Sequence, residues 1–200
     1  MKKSDEARQK IMHATIELLS KQGHATIKEI SDMSHVNVAA VNYYYGDKQS
    51  LYNKVIDYVS EELKGNITKL IDGSTNDLEP VVKEVINIIY HWTLKYNGVL
   101  KYMIGNNSQD GKEAFMFNHL FYDEAFSKKI YAHLEEYTGI HDQELLYIKY
   151  MIIFSSFAFP MMIEFIRNEG TLNDSMHATS LSQPSFKKKY IDELIKVIMD

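Results

Sequence analysis

The 200-residue sequence contains no cysteine, only three prolines and a single tryptophan. The absence of cysteine excludes a disulfide framework and a thiolate metal site. The longest nearly apolar run, residues 151–163, is too short for a membrane-spanning helix, which needs about 20 residues. Two lysines near the start are not followed by the apolar segment of a signal peptide. These absences predict a cytoplasmic protein without a membrane partner.

Motifs that carry catalysis are also missing. The sequence has no HExxH, no GxSxG, no P-loop and no GxGxxG, and its eight histidines are scattered. The one acidic and histidine-containing cluster, "HDQE" at 141–144, lies at a helix start, where Asp142 is explained as a cap. We therefore predict that the protein is not an enzyme and that it holds no metal and no cofactor.

The formal net charge of −5 speaks against a general nucleic-acid binder, but the charge is unevenly spread. Residues 1–50 carry seven basic and six acidic side chains, and the other 150 residues carry 15 basic and 21 acidic ones. The first quarter is therefore the part of the chain that a polyanion would tolerate. Chance scatter of surface charge explains this mild asymmetry about equally well.

Apolar residues recur at helical spacing along the chain, and β-hairpin signals are missing, so we predict an all-α fold. A first helix is predicted over residues 4–22 and a short second one after the capping box "TIKE" at 26–29. Asn37 is expected to cap a third helix over 38–44, and Asp47 a fourth that reaches about residue 72.

A second helical body is predicted from about residue 76 onward. The residues around 104–113 and 168–183 are polar and predict loops. Pro160 falls inside a very apolar stretch, where it predicts a kink. The predicted helices of this body cover residues 78–96, 113–137 (as one or two helices), 142–168 and 185–199.

Two short helices joined by a four-residue turn, preceded by one helix and followed by another, have the sequence form of a helix-turn-helix. Ile27, Ile30, Val36 and Val41 supply a small core that fixes the angle between the two helices. The second helix is short enough for its N-terminal end to enter a major groove of DNA.

Residues 26–51, "TIKEISDMSHVNVAAVNYYYGDKQSL", resemble the DNA-binding segment of the TetR family of bacterial transcriptional regulators. The sequence departs from the family pattern at His35, where glycine is frequent, at Asn42, where tyrosine is common, and at Tyr45, where most members have phenylalanine. The residues in register with the pattern are Thr26, Val36, Tyr44, Tyr45, Gly46, Asp47, Lys48 and Leu51.

The resemblance implies a role for each of the three consecutive tyrosines. Tyr43 is assigned to the DNA groove, Tyr44 to the DNA backbone and Tyr45 to the small core behind them. Asn42 is expected to read a base edge, and Lys48 to contact a phosphate. A threonine at a helix start is first of all a cap, and the resemblance adds a phosphate contact by Thr26. The implied DNA-binding residues are Thr26, Asn37, Val38, Ala39, Ala40, Asn42, Tyr43, Tyr44 and Lys48.

For the rest of the chain the resemblance implies architecture rather than readable motifs. Residues 1–50 would form the DNA-binding domain, and residues 51–200 a helical domain for effector binding and dimerisation. The protein would then be a homodimeric repressor that binds a palindromic operator in double-stranded DNA and is released by a small apolar effector. The candidate effector-binding residues are Trp92, Tyr96, Met103, Phe117, Tyr150, Phe154, Phe157 and Met161.

The sequence also permits alternatives to a ligand site and to a DNA-binding regulator. A stripe of methionine and aromatic residues at helical spacing is more often plain core than a ligand site. The whole chain could also be a TetR-like helical scaffold that acts mainly through protein–protein contacts or ligand sensing, with little sequence-specific DNA binding. A third possibility is a helical carrier or sensor of lipophilic molecules without a role in DNA binding.

Overall fold

The computed structural model describes residues 3–73, 78–105, 123–156, 160, 181 and 183–199, and within these ranges it contains helices and short connections but no strand. The helices of this described part are α1 (Lys3–Gln22), α2 (Ile27–Ser34), α3 (Val38–Tyr45), α4 (Lys48–Asp72), α5 (Leu78–Lys95), α6 (Asn97–Gly105), α7 (Glu124–Thr138), α8 (Gln143–Ser155) and α9 (Pro184–Met199). The all-α prediction is confirmed.

The predicted bounds of the first four helices are confirmed to within a residue or two, but two later predictions need correction. The helix α6 was not predicted, because the sequence analysis assigned no element to residues 97–103. It extends to Gly105, where a loop was expected to have begun. The described part of the predicted helix 142–168 ends at Ser155. Apart from Pro160, the continuation from residue 157 lies outside the described residues.

The chain separates into two compact units. The first unit combines α1, α2, α3 and α4 up to Lys64 with the end of α5 and with α6. The second unit combines the end of α4 and most of α5 with α7, α8 and α9. The predicted functional division at residue 50 is a separate question and stays a prediction.

The core of the first unit lies where α1, α2 and α3 meet. Ile11 and Leu19 of α1, Ile30 of α2, Val41 of α3 and Leu51 at the start of α4 are all buried. Burying five aliphatic side chains of this size is worth about 1.5–3 kcal/mol each before entropy is counted. This cluster holds α2 and α3 at a fixed angle.

The helix α6 packs on α1 in the same unit, and Gly98 makes this approach possible. A Cβ atom added to Gly98 would lie 2.2 Å from the carbonyl oxygen of Leu19, closer than van der Waals contact allows. The backbones of the two helices therefore touch at this glycine, and no side chain fits between them.

The second unit is held by apolar faces, with ion pairs such as Lys129–Asp72 and a cation–π contact at their edges. On α9, Ile191, Leu194, Ile195 and Ile198 are buried. Lys187 on the same helix places its Nζ atom 4.2 Å from the centroid of the Tyr90 ring. Within the described ranges, no helix is both long enough and apolar enough to cross a membrane.

Candidate nucleic-acid interface

The entry to α2 is the predicted capping box. The Thr26 Oγ1 atom accepts a hydrogen bond from the Glu29 amide at 3.2 Å, and the Thr26 amide donates to the Glu29 carboxylate at 2.7 Å. The Thr26 hydroxyl also donates to Glu29, at 2.7 Å, and these bonds lower the pKa of the Glu29 carboxyl to about 2. The Thr26 hydroxyl thus accepts a hydrogen bond from the backbone and donates one to the Glu29 carboxylate, and both bonds belong to the helix cap. Its contact with phosphate stays a prediction.

The turn between α2 and α3 uses a left-handed residue and a second cap. His35 has φ 55° and ψ 33°, the conformation for which glycine is favoured and which histidine tolerates better than most residues. The Asn37 Oδ1 atom accepts a hydrogen bond from the Ala40 amide at 2.7 Å. The NH₂ group of the Asn37 side chain has no partner within the described residues, so it is available to a ligand.

One side of α3 faces its neighbours and the other faces solvent. Val41 is buried, and Ala40 is partly covered. The predicted DNA-binding residues Val38, Ala39, Asn42 and Tyr43 are all exposed. The structure therefore places these four side chains together on the free side of one short helix.

The three consecutive tyrosines point in three directions, as a turn of about 100° per residue requires. Tyr43 is 83% exposed, and its ring meets the half-buried Tyr44 ring edge-on at 5.4 Å. The expectation that Tyr45 is a core residue was wrong in degree. Its ring is only half-buried, because its hydroxyl reaches out to donate to the Arg8 carbonyl oxygen at 2.9 Å. Burial raises the pKa of the Tyr45 hydroxyl, and the positive charge of Arg8 opposes the rise.

The junction between α3 and α4 depends on Gly46 and Asp47. Gly46 has φ 81° and ψ −104°, a conformation that residues with a Cβ atom rarely adopt. The Asp47 carboxylate accepts a hydrogen bond from the Ser50 amide at 2.7 Å, and this bond lowers the pKa of the carboxyl. The next residue, Lys48, is exposed, and its Nζ atom lies 5.3 Å from the centroid of the Tyr52 ring.

Tyr52 is a positioning residue that the sequence did not reveal. Only 1% of it is exposed. Its hydroxyl accepts from the Ala25 amide at 2.8 Å and donates to the Ala25 carbonyl at 3.0 Å, so it ties α4 to the loop that precedes α2. Burial raises the pKa of Tyr52 to about 12. The only sequence signal was its place in the apolar repeat of α4, which predicts burial but not a partner.

No protein-family model matches the sequence, and no curated protein matches it either. Solved structures do match. One is a protein of Mesorhizobium loti assigned to the TetR family of transcriptional regulators, with a TM-score of 0.70, 13% identity and coverage of 100% of this chain and 98% of that one. The chain has the fold of the TetR-family regulators.

Two further structures agree in fold. A Clostridium perfringens protein assigned as a fatty acid metabolism regulator gives a TM-score of 0.64 at 18% identity and covers 96% of this chain and 97% of that one. A TetR-family transcription regulator by assignment, from a Shewanella species, gives a TM-score of 0.59 at 9% identity, with 96% of each chain covered. At these identities the likeness concerns the TetR-like fold.

Within the TetR-like fold, the predicted effector-binding residues do not surround one described cavity. Tyr96 lies in the first unit, where its hydroxyl donates to the Glu62 carboxylate at 2.7 Å. Trp92 and Tyr150 are buried in the second unit, and Phe154 is half-buried there. The side chain of Met103 lies outside the described residues, as do Phe117, Phe157 and Met161.

The second unit of the TetR-like fold contains a small cavity of about 30 Å³ between α4, α5, α7 and α8. Phe154 is the predicted effector-binding residue that lines it, together with Ile71, Val81, Val82, Val85, Ile130, His133, Leu134 and Ile153. His133 is the polar member of this lining. Its Nε2 atom is buried without a hydrogen-bond partner among the described residues, and burial lowers the pKa of the ring.

No group of three or more histidine, aspartate or glutamate side chains in the described part of the chain is arranged to hold a metal ion.

Proposed function

We propose that the protein is a DNA-binding transcriptional regulator that reads a palindromic operator with the exposed side of α3. The observation that carries this proposal is the pairing of a TetR-like fold with an α3 whose free side holds Val38, Ala39, Asn42 and Tyr43. A short capped helix with exposed amide, methyl and phenol groups suits the edges of bases in a major groove. Lys48 and Tyr44 would contact the sugar-phosphate backbone beside it.

The experiment is a binding titration with DNA taken from beside the protein's own gene, competed with random duplex at several salt concentrations. A regulator of this kind binds its operator at least about 10³-fold more tightly than random DNA. Equal affinity for both duplexes would contradict sequence-specific regulation and would favour a helical scaffold that acts through protein contacts.

We further propose that the protein acts as a homodimer. In the second unit, α8 exposes Leu145, Tyr147, Ile148 and Met151, and α9, which packs on α8, exposes Val197 and Met199. An apolar patch of this kind on neighbouring helices marks an interaction surface. A two-fold dimer also presents two copies of α3 to two half-sites. Light scattering that finds only monomer at micromolar concentration would contradict this part of the proposal.

The regulator is proposed to be a cytoplasmic repressor, with residues 1–50 binding DNA and residues 51–200 binding an apolar effector and the second copy. The apolar lining of the cavity in the second unit supports an apolar effector. The cavity holds only a water molecule or two at its present volume, so an effector must open it.

One structural neighbour is a fatty acid metabolism regulator by assignment, so fatty acids are the first effectors to test. A bound effector is expected to raise the melting temperature and to release operator DNA, since it must favour the conformation that binds DNA poorly. If added fatty acids change neither the melting temperature nor operator binding, fatty acids are not the effectors of this protein.

A further inference from the structure

The side chain of Arg8 connects α1 to the tyrosines at the end of α3. Its guanidinium carbon lies 5.5 Å from the centroid of the Tyr44 ring, within the range of a cation–π contact. The Tyr44 ring in turn meets the exposed Tyr43 ring. The main-chain oxygen of Arg8 accepts the hydroxyl of Tyr45. One residue of α1 is thus in contact, directly or through one ring, with all three tyrosines.

Arg8 differs from Lys10 and Lys21, the lysine side chains that the structure describes on α1, because no described carboxylate neutralises its charge. Lys10 pairs with Glu6 at 2.7 Å, and Lys21 pairs with Glu17 at 2.5 Å. Arg8 is exposed and forms no ion pair with any residue that the structure describes. Its guanidinium is held in place by an aromatic ring, and the hydrogen-bonding edge of the group is left for another partner.

A second cation lies beside α3 in the same kind of setting. Lys48 at the start of α4 is exposed, and its Nζ atom lies over the Tyr52 ring. The recognition helix is therefore accompanied by one cation from α1 and one from α4, each resting on a tyrosine ring. A cation on a ring loses less side-chain freedom when it binds an anion than a cation that moves freely in solvent.

We propose that Arg8 binds a DNA phosphate next to the groove that α3 enters, as a partner of Lys48. A planar guanidinium donates two parallel hydrogen bonds to phosphate oxygens, which suits this role better than a point charge does. The contact is with the backbone and carries no sequence information of its own. This inference rests on the proposed function, since it names an additional residue of the same DNA interface.

The test measures how DNA affinity depends on salt for two matched variants of α1. Arg8→Gln and Lys10→Gln each remove one positive charge from the same helix, but only Arg8 is predicted to contact phosphate. Binding to DNA from beside the gene and to random duplex is measured over a series of KCl concentrations. Melting temperatures of the variants show that each is folded.

Arg8→Gln is expected to reduce the slope of log affinity against log salt by about 0.9, the value for one phosphate contact. It should weaken binding to both duplexes by the same factor, because a backbone contact does not distinguish sequences. Lys10→Gln should leave the slope close to that of the wild type. Arg8→Met keeps an apolar chain over the Tyr44 ring without the charge, and it should repeat the Arg8→Gln result.

Three outcomes would overturn the inference. If the slope of log affinity against log salt is no smaller for Arg8→Gln or Arg8→Met than for Lys10→Gln, only the long-range charge of Arg8 affects DNA binding. A loss confined to the specific duplex would show that Arg8 acts on base reading instead. A wild-type protein that binds neither duplex would remove the proposed function and this inference together, whereas wild-type binding with unchanged Arg8 variants removes the inference alone.

Discussion

The two units of the molecule differ in what holds their helices in place. In the first unit, α2 and α3 have only eight residues each, a length at which an isolated helix is not stable in water. Side chains bonded to backbone groups define where these helices begin, and a buried tyrosine hydroxyl fixes the loop before them. In the second unit, longer helices such as α7 and α9 rely on continuous buried apolar faces.

This difference separates two kinds of sequence information. A cap is a short-range contact between residues three positions apart, and it can be recognised from the sequence itself. An apolar face says that a helix is buried but does not say what lies against it. The first unit should therefore be sensitive to single atoms at defined positions, and the second should tolerate comparable changes better.

The largest contrast is expected from adding one methyl group at two glycines. Gly98→Ala forces a Cβ atom against the Leu19 carbonyl in the first unit, and we expect a loss of about 3 kcal/mol in the free energy of unfolding. Gly65→Ala places the same atom in open space inside α4, and we expect a gain of up to about 1 kcal/mol. Urea unfolding of both variants measures the difference, and equal effects would contradict the close approach of α6 to α1.

The next contrast removes one hydroxyl from a tyrosine in each unit. Tyr52→Phe leaves the Ala25 amide and carbonyl without their partner in a buried position, and we expect a loss of about 2–3 kcal/mol. Tyr190→Phe removes a single hydrogen bond to the Ser156 carbonyl at a half-buried position of the second unit, with an expected loss of about 1 kcal/mol. If Tyr52→Phe loses no more unfolding free energy than Tyr190→Phe, the hydrogen bonds between Tyr52 and Ala25 do not stabilise the first unit.

The smallest expected effect is the pH dependence of the α2 cap. The pKa of Glu29 is lowered from 4.5 to about 2, mainly by its hydrogen bond with the Thr26 side chain. The stability that Glu29 contributes is therefore complete above pH 4.5 and is lost as the pH falls towards 2. Glu29→Gln should unfold with a flatter pH dependence in this window. If the stability of the wild type and of the variant falls in parallel with pH, protonation of Glu29 does not affect the stability of the fold.

The same contrast explains which features could be predicted from the sequence. The capping box at Thr26, the cap at Asn37 and the cap at Asp47 depend on local spacing, and all three are confirmed. The pairing of Tyr52 with Ala25 joins residues 27 positions apart, and no local pattern announces it.

Tyr45, which was expected to be a core residue, shows the same limit of prediction from local sequence. A turn of 100° per residue correctly separates Tyr43, Tyr44 and Tyr45 into three directions, but the depth of each depends on α1. In the structure, the Arg8 carbonyl oxygen accepts the Tyr45 hydroxyl, the Arg8 guanidinium lies over the Tyr44 ring, and both rings are half-buried. The role of Gly98 was likewise not predicted, because the carbonyl oxygen that requires a glycine there lies on α1. A sequence pattern that spans only a few residues does not predict the role of a residue whose contact partner lies far away in the chain.

The most direct measurement of the central claim compares Tyr43→Ala with Tyr45→Ala in two assays, operator binding and urea unfolding. Tyr43 is exposed on the free side of α3, so its loss should weaken operator binding at least tenfold while changing unfolding free energy by less than about 0.5 kcal/mol. Tyr45 is half-buried, so its loss should cost about 2 kcal/mol of stability, below the range for a fully buried ring. Full operator affinity in a folded Tyr43→Ala variant would contradict the claim that this side of α3 reads DNA.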